Sequence, residues 1–384
     1  MSSKLEANAD FFVLQLAHTL ELPHIQKWLA EISSVINQMG GLALIPGRIG
    51  RTEPGFRRAG AKMIDEPLDE DMRRGAFKRL KDISVSNDVS AYIAFDSQSI
   101  KIAQKLAKVH KAPIIFICQE WIPKASLFKV GGNSINLSQI DHFIVPSLTL
   151  SDHLMSVHEI EKSRISFIKE GIDLKAISDQ TVSHERAASL AHSWGAIEEA
   201  ADIVLIPAAY GDQKWARNLL KFFNNWSKLE RKDTQFVVIG DDDGKGLMSQ
   251  IQSQVYRQSP TAPVRLAGHC ADTEAAIKLS TLILHIEGEE QVAFPLALTA
   301  QALGRFAILP DQKAAAEFVQ DGKSGLLYNS DGDDICEIVQ AVILRSESQR
   351  KSEAMAGRLF VTQNFSRDQM LASLRQVFEN DDLA

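Results

Sequence analysis

An acidic segment that follows an apolar run is the clearest candidate for chemistry in this chain. Residues 282–286 are apolar apart from one histidine, and Glu287, Glu289 and Glu290 come directly after them. Ionised carboxylates accept strong hydrogen bonds from hydroxyl groups, such as those of sugars. The pattern therefore indicates hydroxyl recognition, and the alternative is a solvated acidic loop.

A second polar segment, residues 240–246, contains three consecutive aspartates, Asp241, Asp242 and Asp243. Carboxylate oxygens at the end of a strand can hold Mg²⁺ or Mn²⁺. A tight, hydrated turn is the favoured interpretation, because no other segment supplies a second cluster of ligands. The spacing also differs from that of a phosphate-binding P-loop, since no Ser or Thr follows Lys245. We expect no metal site.

Nucleophilic catalysis finds no support in the residue spacing. No Ser-His-Asp or Cys-His arrangement can be assembled, and histidines near predicted strand ends more often pack than react. The cysteines, Cys118, Cys270 and Cys336, lie far apart in the chain. Three cysteines without a disulfide framework are typical of a reducing compartment, and we expect Cys118 and Cys336 to be buried.

Composition and charge narrow the class of protein. The chain has 384 residues and a net charge of -7, which argues against broad nucleic-acid binding. We find neither a signal-peptide core nor an apolar run of the ~18 residues that a membrane span needs, so we expect a cytoplasmic protein. Basic stretches lie at residues 73–81 and 101–111. Solvated helix faces explain them best, and contact with anionic lipid is the alternative.

Short apolar runs alternate with amphipathic stretches along the whole chain. The predicted strands are residues 11–16, 42–45, 91–95, 113–118 and 143–145, and then 203–206, 236–239, 264–266, 282–286 and 307–309. Predicted helices include residues 25–39, 213–229, 246–256, 273–279, 293–303, 314–319 and 366–378. Strict alternation of strand and helix predicts parallel sheets with right-handed crossovers.

The strands fall into two series, which predicts an α/β protein with two doubly wound, Rossmann-like domains. We place the first domain at residues 1–175, completed by a C-terminal helix at 366–384, and the second at residues 176–365. Ligands of such sheets bind at the carboxyl ends of the strands. We therefore expect the two domains to face each other across a cleft, with the functional site in the loops that follow the strands.

Several short motifs of the second series stand in a recognisable order. They are Val264 to Cys270 with Ala271-Asp272, Ala300 to Arg305, Glu317-Phe318-Val319, Asp321-Gly322 and Gly325-Leu326-Leu327. The first series adds Val13 to Leu16, Val145-Pro146-Ser147 and Gly171-Ile172-Asp173-Leu174. Over roughly residues 11 to 378, the chain resembles the retaining glycosyltransferases of family four (group 1), which have the GT-B fold. It is similar in particular to alphaproteobacterial envelope-polysaccharide enzymes.

The resemblance implies transfer of a sugar from a nucleotide sugar to a glycan or lipid-linked acceptor, with retention and without a metal or other cofactor. The product would be lipopolysaccharide or another envelope polysaccharide. Such a protein works in the cytoplasm, and peripheral contact with the inner membrane is an open alternative. In the family, an arginine and a lysine early in the second domain neutralise the donor diphosphate, and two glutamates eight positions apart hold its hydroxyls.

The matching positions of the second domain depart from this pattern. Lys214 keeps the lysine, whereas Ala209 stands at the arginine position. Gln291 and Thr299 stand at the two glutamate positions, and Glu290 lies one residue from the first. The donor-binding residues that the resemblance implies are thus Lys214, Glu290, Gln291 and Thr299, and no catalytic residue is assigned.

The first domain departs as well. Pro23-His24 replaces a Gly-Gly pair, Gln119 replaces a histidine, and Glu170 replaces a basic residue. Arg48 could reach phosphate from this side, so His24, Arg48 and Gln119 are the candidates that this domain offers. Losing a charge-assisted hydrogen bond costs ~1.5–3 kcal/mol, so several such losses would weaken donor binding strongly.

Two alternatives to a working transferase therefore remain. One is a catalytically inactive pseudo-glycosyltransferase that binds or regulates a partner glycosyltransferase, as the joint loss of polar residues suggests. The other is a different two-domain α/β protein, such as a sugar-nucleotide epimerase. A glycosyltransferase is the leading hypothesis.

Overall fold

The structure is a computed structural model, and it describes most of the chain. The described residues are 9–18, 20, 23–50, 52–68, 74–124, 135–178, 181–194, 202–209, 211–229, 233–240, 247–258, 263–330 and 334–380. The chain divides into two compact units: residues 1–171 together with 368–384, and residues 172–367.

The strands follow one another as the apolar runs predict. They are β1 (Phe12–Leu16), β2 (Leu42–Gly47), β3 (Lys62–Asp65), β4 (Val89–Ala94), β5 (Ile114–Ile117), β6 (His142–Val145), β7 (Ile165–Phe167), β8 (Asp202–Pro207), β9 (Thr234–Ile239), β10 (Val264–Gly268), β11 (Leu282–Leu284), β12 (Phe306–Pro310) and β13 (Gly325–Tyr328).

Helices connect the strands and close the chain. They are α1 (Pro23–Gln38), α2 (Glu53–Arg58), α3 (Arg74–Ser86), α4 (Ser97–Ala107), α5 (Leu148–His158), α6 (His184–Ser193), α7 (Gln213–Trp226), α8 (Leu247–Gln258), α9 (Thr273–Leu279), α10 (Pro295–Ala302), α11 (Ile335–Ile343), α12 (Glu347–Asn364) and α13 (Arg367–Asn380).

The first unit is built on a parallel sheet with the strand order β3-β2-β1-β4-β5-β6-β7. The helix α1 presents an apolar stripe to one face of this sheet because its large apolar residues recur every three or four positions. Trp28, Leu29 and Ile32 on that stripe are fully buried. The last helix, α13, adds Met370 and Leu374 to the same core.

The second unit is built on a parallel sheet with the order β10-β9-β8-β11-β12-β13. Both faces of its central strands are covered, because alternate residues along a strand point to opposite sides. Leu205 and Ile283 belong to one apolar cluster, and Val204 and Leu282 belong to the other.

The helix α7 is anchored to this sheet by aromatic side chains. Phe222 and Trp226 lie edge-on to Phe236 of β9, with ring centroids 5.2 and 4.9 Å apart. Such T-shaped pairs contribute about 0.5–1.5 kcal/mol each beyond the area that they bury. The packing fixes where α7 begins, at the carboxyl end of β8.

The predicted fold class is confirmed in its strand and helix order, with local differences. The sequence analysis missed β3, β7 and β13, which are strands of only three or four residues and are not fully buried. The helix predicted over residues 314–319 is only a 3-10 turn, Ala315–Glu317. Cys118 and Cys336 are buried as expected. Among the described residues, no helix combines the length and apolarity that a bilayer crossing requires.

Gly325 is needed for close packing between strands. Gly268, Gly304 and Gly322 have positive φ angles of 67°, 69° and 70°, which favour glycine. Gly325 instead begins β13 beside β12, and an added Cβ would lie 2.5 Å from the carbonyl oxygen of Ala307.

Replacing Gly325 with alanine should destabilise the second unit by roughly 1–3 kcal/mol, because the backbone of β12 would have to move. Urea denaturation followed by tryptophan fluorescence measures this change. Gly211→Ala is the matched control, since a Cβ there would have no atom within 4 Å. Equal stabilities of the two variants would contradict the packing argument.

Candidate functional site

The second sheet has a topological switch point between β8 and β11. The chain leaves β8 toward β9 on one side and leaves β11 toward β12 on the other. The two loops that follow β8 and β11 therefore diverge, and such a divergence opens a crevice at the carboxyl edge of a doubly wound sheet. The described residues of these loops are 208–209 and 211–212 after β8, and 285–294 after β11.

Asp212 ties the two loops together at the start of α7. Its Oδ1 accepts hydrogen bonds from the backbone N–H groups of Lys214 and Trp215, at 2.8 and 3.0 Å, which caps the helix. Its Oδ2 accepts the N–H of Glu289 from the other loop. Gly288 allows this approach, because a Cβ there would overlap the Asp212 carboxylate.

Lys214 is the second residue of α7 and is paired with an acidic side chain. Its Nζ lies 2.6 Å from Oε1 of Glu287, and the two side chains are 48% and 21% exposed. Partial burial acts to raise the pKa of the Glu287 carboxyl. The hydrogen bonds from Lys214 and Ser330 outweigh that effect, so its pKa is lowered and the group stays ionised at neutral pH.

The backbone of Glu287 is fixed by neighbouring side chains. Its N–H donates to the Tyr328 hydroxyl at 2.9 Å, and its carbonyl accepts from Asn218 Nδ2 at 2.9 Å. Tyr328 in turn donates to the carbonyl of His285 at 3.0 Å. Burial raises the pKa of Tyr328, which keeps this hydroxyl a donor. The main chain of the acidic loop is thus held from β13 and from α7.

The remaining acidic and amide residues of the loop contact the segment after β12. Glu290 Oε2 lies 3.1 Å from Nζ of Lys313. Gln312 accepts the N–H of Gln291 at 3.0 Å and donates to the carbonyls of Gly288 and Glu289. Glu290 and Gln291 therefore share one loop with Glu287, as their positions in the sequence suggest.

Thr299 forms a hydrogen bond within its own helix, and Ala209 packs against apolar side chains. The Thr299 hydroxyl donates to the carbonyl of Pro295, one turn earlier in α10, at 3.1 Å. Ala209 is partly buried against an apolar cluster that includes Trp215. A methyl group at position 209 contributes packing at the place where the family resemblance implies an arginine.

The first-unit candidates lie at or after the carboxyl ends of their strands. Arg48 follows β2 and is exposed, Gln119 follows β5, and His24 is an exposed residue at the start of α1. Nε2 of Gln119 is buried without a hydrogen-bond partner in the described part of the chain. Glu170 is buried and lies 2.7 Å from Nζ of Lys27 in α1, which accounts for the acidic residue at that position.

Metal binding finds no support in the described residues. They contain no group of three or more His, Cys, Asp or Glu side chains with metal-ligand geometry. Asp241, Asp242 and Asp243 lie outside the described residues.

Several residues that build this site escaped the sequence analysis. Asp212, Asn218, Gln312 and Tyr328 hold the acidic loop in place. A local signal exists only for Asp212, which precedes a helix with the spacing of an N-cap. The other three act over separations of 21 to 69 residues, which no local pattern encodes.

The assembled site presents one half-exposed lysine beside a rigid acidic loop. An ammonium group attracts phosphate, and carboxylates accept hydrogen bonds from hydroxyls. A ligand that carries both groups matches this edge of the second sheet. Lys214, Glu287 and Glu290 are the side chains with the charge to bind it.

Comparison with known proteins agrees with this chemistry. Residues 201–345 match the sequence family described as glycosyl transferases group 1. A search of curated protein sequences finds no match to the chain.

Solved structures share the fold over nearly the whole chain. A glycosyltransferase from Rickettsia africae has a TM-score of 0.76 at 17% identity, covering 98% of this chain and 99% of its own. Anabaena HepE in complex with UDP-glucose has a TM-score of 0.77 at 10% identity, covering 96% and 99%. WaaG, a glycosyltransferase involved in lipopolysaccharide biosynthesis, has a TM-score of 0.68 at 11% identity, covering 97% and 99%.

These findings confirm two predictions made from the sequence. The fold is that of GT-B glycosyltransferases, with two Rossmann-like parallel sheets. The resemblance to group 1 glycosyltransferases is supported as well, because residues 201–345 match the model of that family, and the matched segment includes Lys214 and the whole acidic loop.

Replacing Asp212 with alanine should destabilise the second unit by about 1–2 kcal/mol, because three N–H groups lose their acceptor. Thermal unfolding monitored by circular dichroism measures the effect. Asp212→Asn is the control, since its one amide oxygen can still accept the two N–H groups at the start of α7 and only the bond from Glu289 is lost, so its loss should be smaller. A loss of the same size in both variants would show that the cap is not the cause.

His285 should make the stability depend on pH. Its ring is buried beside Phe294, and burial lowers its pKa to about 3. Below pH 6.5 the unfolded chain takes up a proton that the folded chain refuses, so stability falls as the pH falls toward 3. The loss from this residue should reach about 2 kcal/mol at pH 5.

The variant His285→Phe should lose correspondingly less stability between pH 7.5 and pH 5. Urea denaturation at a series of pH values measures the two curves, and pH 7.5 is the internal reference, where the effect of the histidine vanishes. Parallel curves for the variant and the natural chain would refute this role.

Proposed function

We propose that this chain transfers a sugar from a nucleotide sugar to a glycan or lipid-linked acceptor in the assembly of lipopolysaccharide or another envelope polysaccharide. The observation that carries the proposal is the position of Lys214 at the β8–β11 switch point, inside the segment that matches group 1 glycosyltransferases. Named relatives of the fold support the substrate class, since one binds UDP-glucose and another acts in lipopolysaccharide biosynthesis.

In this proposal Lys214 binds the diphosphate of the donor. A lysine there favours the departing nucleoside diphosphate electrostatically, because negative charge develops on the leaving group as the glycosidic bond breaks. Glu290, Gln291 and Thr299 contact the hydroxyls of the donor, where Glu290 supplies the charge that Gln291 lacks. Glu287 is not one of these contacts, because its carboxylate is paired with Lys214. Pairing of Glu290 with Lys313 at 3.1 Å keeps that carboxylate at the mouth of the loop.

The finer parts of the proposal come from the family resemblance. They are the retaining, family-four type of transfer, an alphaproteobacterial type of enzyme, action without a metal or other cofactor, and work in the cytoplasm with peripheral contact at the inner membrane. Arg48, Gln119 and His24 would serve the acceptor side. We assign no residue to the chemical step.

An inactive partner of another glycosyltransferase is not favoured. The group 1 match extends through the segment that contains Ala209, Gln291 and Thr299. Lys214 and the acidic loop also remain held in a defined geometry by Asp212, Asn218 and Tyr328. A decayed binding site has no physical need for such a scaffold.

Nucleotide binding tests the proposal most simply. We expect at least one of UDP, GDP and ADP to bind at millimolar concentration or below in isothermal titration calorimetry. Lys214→Met should weaken that binding about tenfold, because one charge-assisted contact with phosphate is lost.

The control is Lys221→Met, which removes an exposed lysine two turns further along α7. It should change affinity little, because it lies away from the loop edge. Absence of binding for all three nucleotides would refute the proposed function. Equal losses in the two lysine variants would remove Lys214 from the diphosphate site.

A further inference from the structure

The anion-attracting groups at the switch point are already occupied by carboxylates of the chain itself. Asp212 takes the N–H groups at the start of α7, where the helix dipole favours negative charge. Glu287 takes the ammonium group of Lys214 at 2.6 Å. Both positions are ones that phosphate oxygens would prefer.

The two carboxylates differ in how firmly they are held. Asp212 binds three backbone N–H groups from two segments, so it is part of the framework. The carboxylate of Glu287 is held by Lys214 and Ser330 through its side chain alone. Rotation of that one side chain frees Lys214.

Such a rotation leaves the acidic loop intact. The contacts with Tyr328 and Asn218 use only the backbone N–H and carbonyl of Glu287. They persist when its carboxylate turns away. The loop can therefore stay rigid while the ion pair opens, and a ligand needs to displace only a single carboxylate.

We infer that Glu287 is a built-in competitor of the donor diphosphate, which binds Lys214 only by displacing the Glu287 carboxylate. The inference rests on the proposed function and adds a regulatory residue to the same site. A nucleoside diphosphate outcompetes a single carboxylate because it carries more charge and more acceptor oxygens. A neutral sugar or nucleoside cannot, so the pair keeps uncharged molecules from occupying Lys214.

The local charge makes the competition effective. The two loops carry four carboxylates, those of Asp212, Glu287, Glu289 and Glu290. Two ammonium groups are paired with them, those of Lys214 and Lys313. These carboxylates repel a dianionic ligand that approaches this edge. The ligand gains the attraction of Lys214 only when the Glu287 carboxylate moves away. Affinity for the free nucleotide should therefore be lower than an unpaired lysine would give.

Glu287→Gln tests this directly. Glutamine keeps the shape and the backbone contacts but removes the charge that holds Lys214. We expect affinity for whichever of UDP, GDP and ADP binds the natural chain to rise about two- to fivefold in calorimetry, as expected for loss of a partly exposed ion pair. Glu289→Gln is the matched control. It removes the same charge from an exposed side chain that lies two residues after Glu287 in the chain.

A Lys214→Met background separates competition from simple repulsion. There, Glu287→Gln should give no more gain than Glu289→Gln, because no lysine remains to be released. Binding by the natural chain with no gain in Glu287→Gln would overturn the inference alone. An equal gain from both glutamine variants would do the same. No nucleotide binding by any variant would overturn the proposed function and the inference with it.

Discussion

Parallel strands that lie side by side but continue in opposite directions impose the main constraint on this molecule. β8 and β11 are neighbours, yet the chain leaves β8 toward one edge of the sheet and leaves β11 toward the other. Their two loops have to separate above the sheet edge, and whatever they carry faces the opening. The first sheet obeys the same rule between β1 and β4. The location of the candidate site follows from strand order before any side chain is considered.

Contacts between residues that are distant in the sequence surround the ion pair of Lys214 and Glu287 at this opening. Asp212 and Gly288 bring the two loops together, and Tyr328 and Asn218 fix the backbone of Glu287. The contact between Lys214 and Glu287 joins two side chains, so it can be exchanged without moving the main chain. A fixed main chain around an ion pair that can open is suitable for binding an anion. Most of the entropy cost of ordering the loops is met when the protein folds, before the ligand binds.

Much of the architecture could be predicted from the sequence, because apolar periodicity is a local property. The stripe of α1 and the strands near residues 236–239 and 307–309 fall where alternating apolar runs place them. β3 escaped prediction because it is short and its residues are not fully buried. The constraint on Gly325 could not be predicted, because it comes from Ala307, on a neighbouring strand.

Some features of the candidate site could likewise be predicted from the sequence, and others could not. The positions of Lys214 and of the acidic loop could be predicted, since each follows a recognisable strand. The pairing of Lys214 with Glu287 could not, because 73 residues separate the two and only the fold brings them together. The same holds for Lys27 and Glu170, where an acidic residue that departs from the family pattern has a lysine partner 143 residues away.

A crystal structure of the protein soaked with UDP, GDP or ADP tests the central claim most directly. We predict diphosphate density within hydrogen-bonding distance of the Lys214 ammonium group, with the Glu287 carboxylate turned away and its backbone unmoved. A nucleotide bound elsewhere, with the Lys214–Glu287 contact still closed, would contradict the claim.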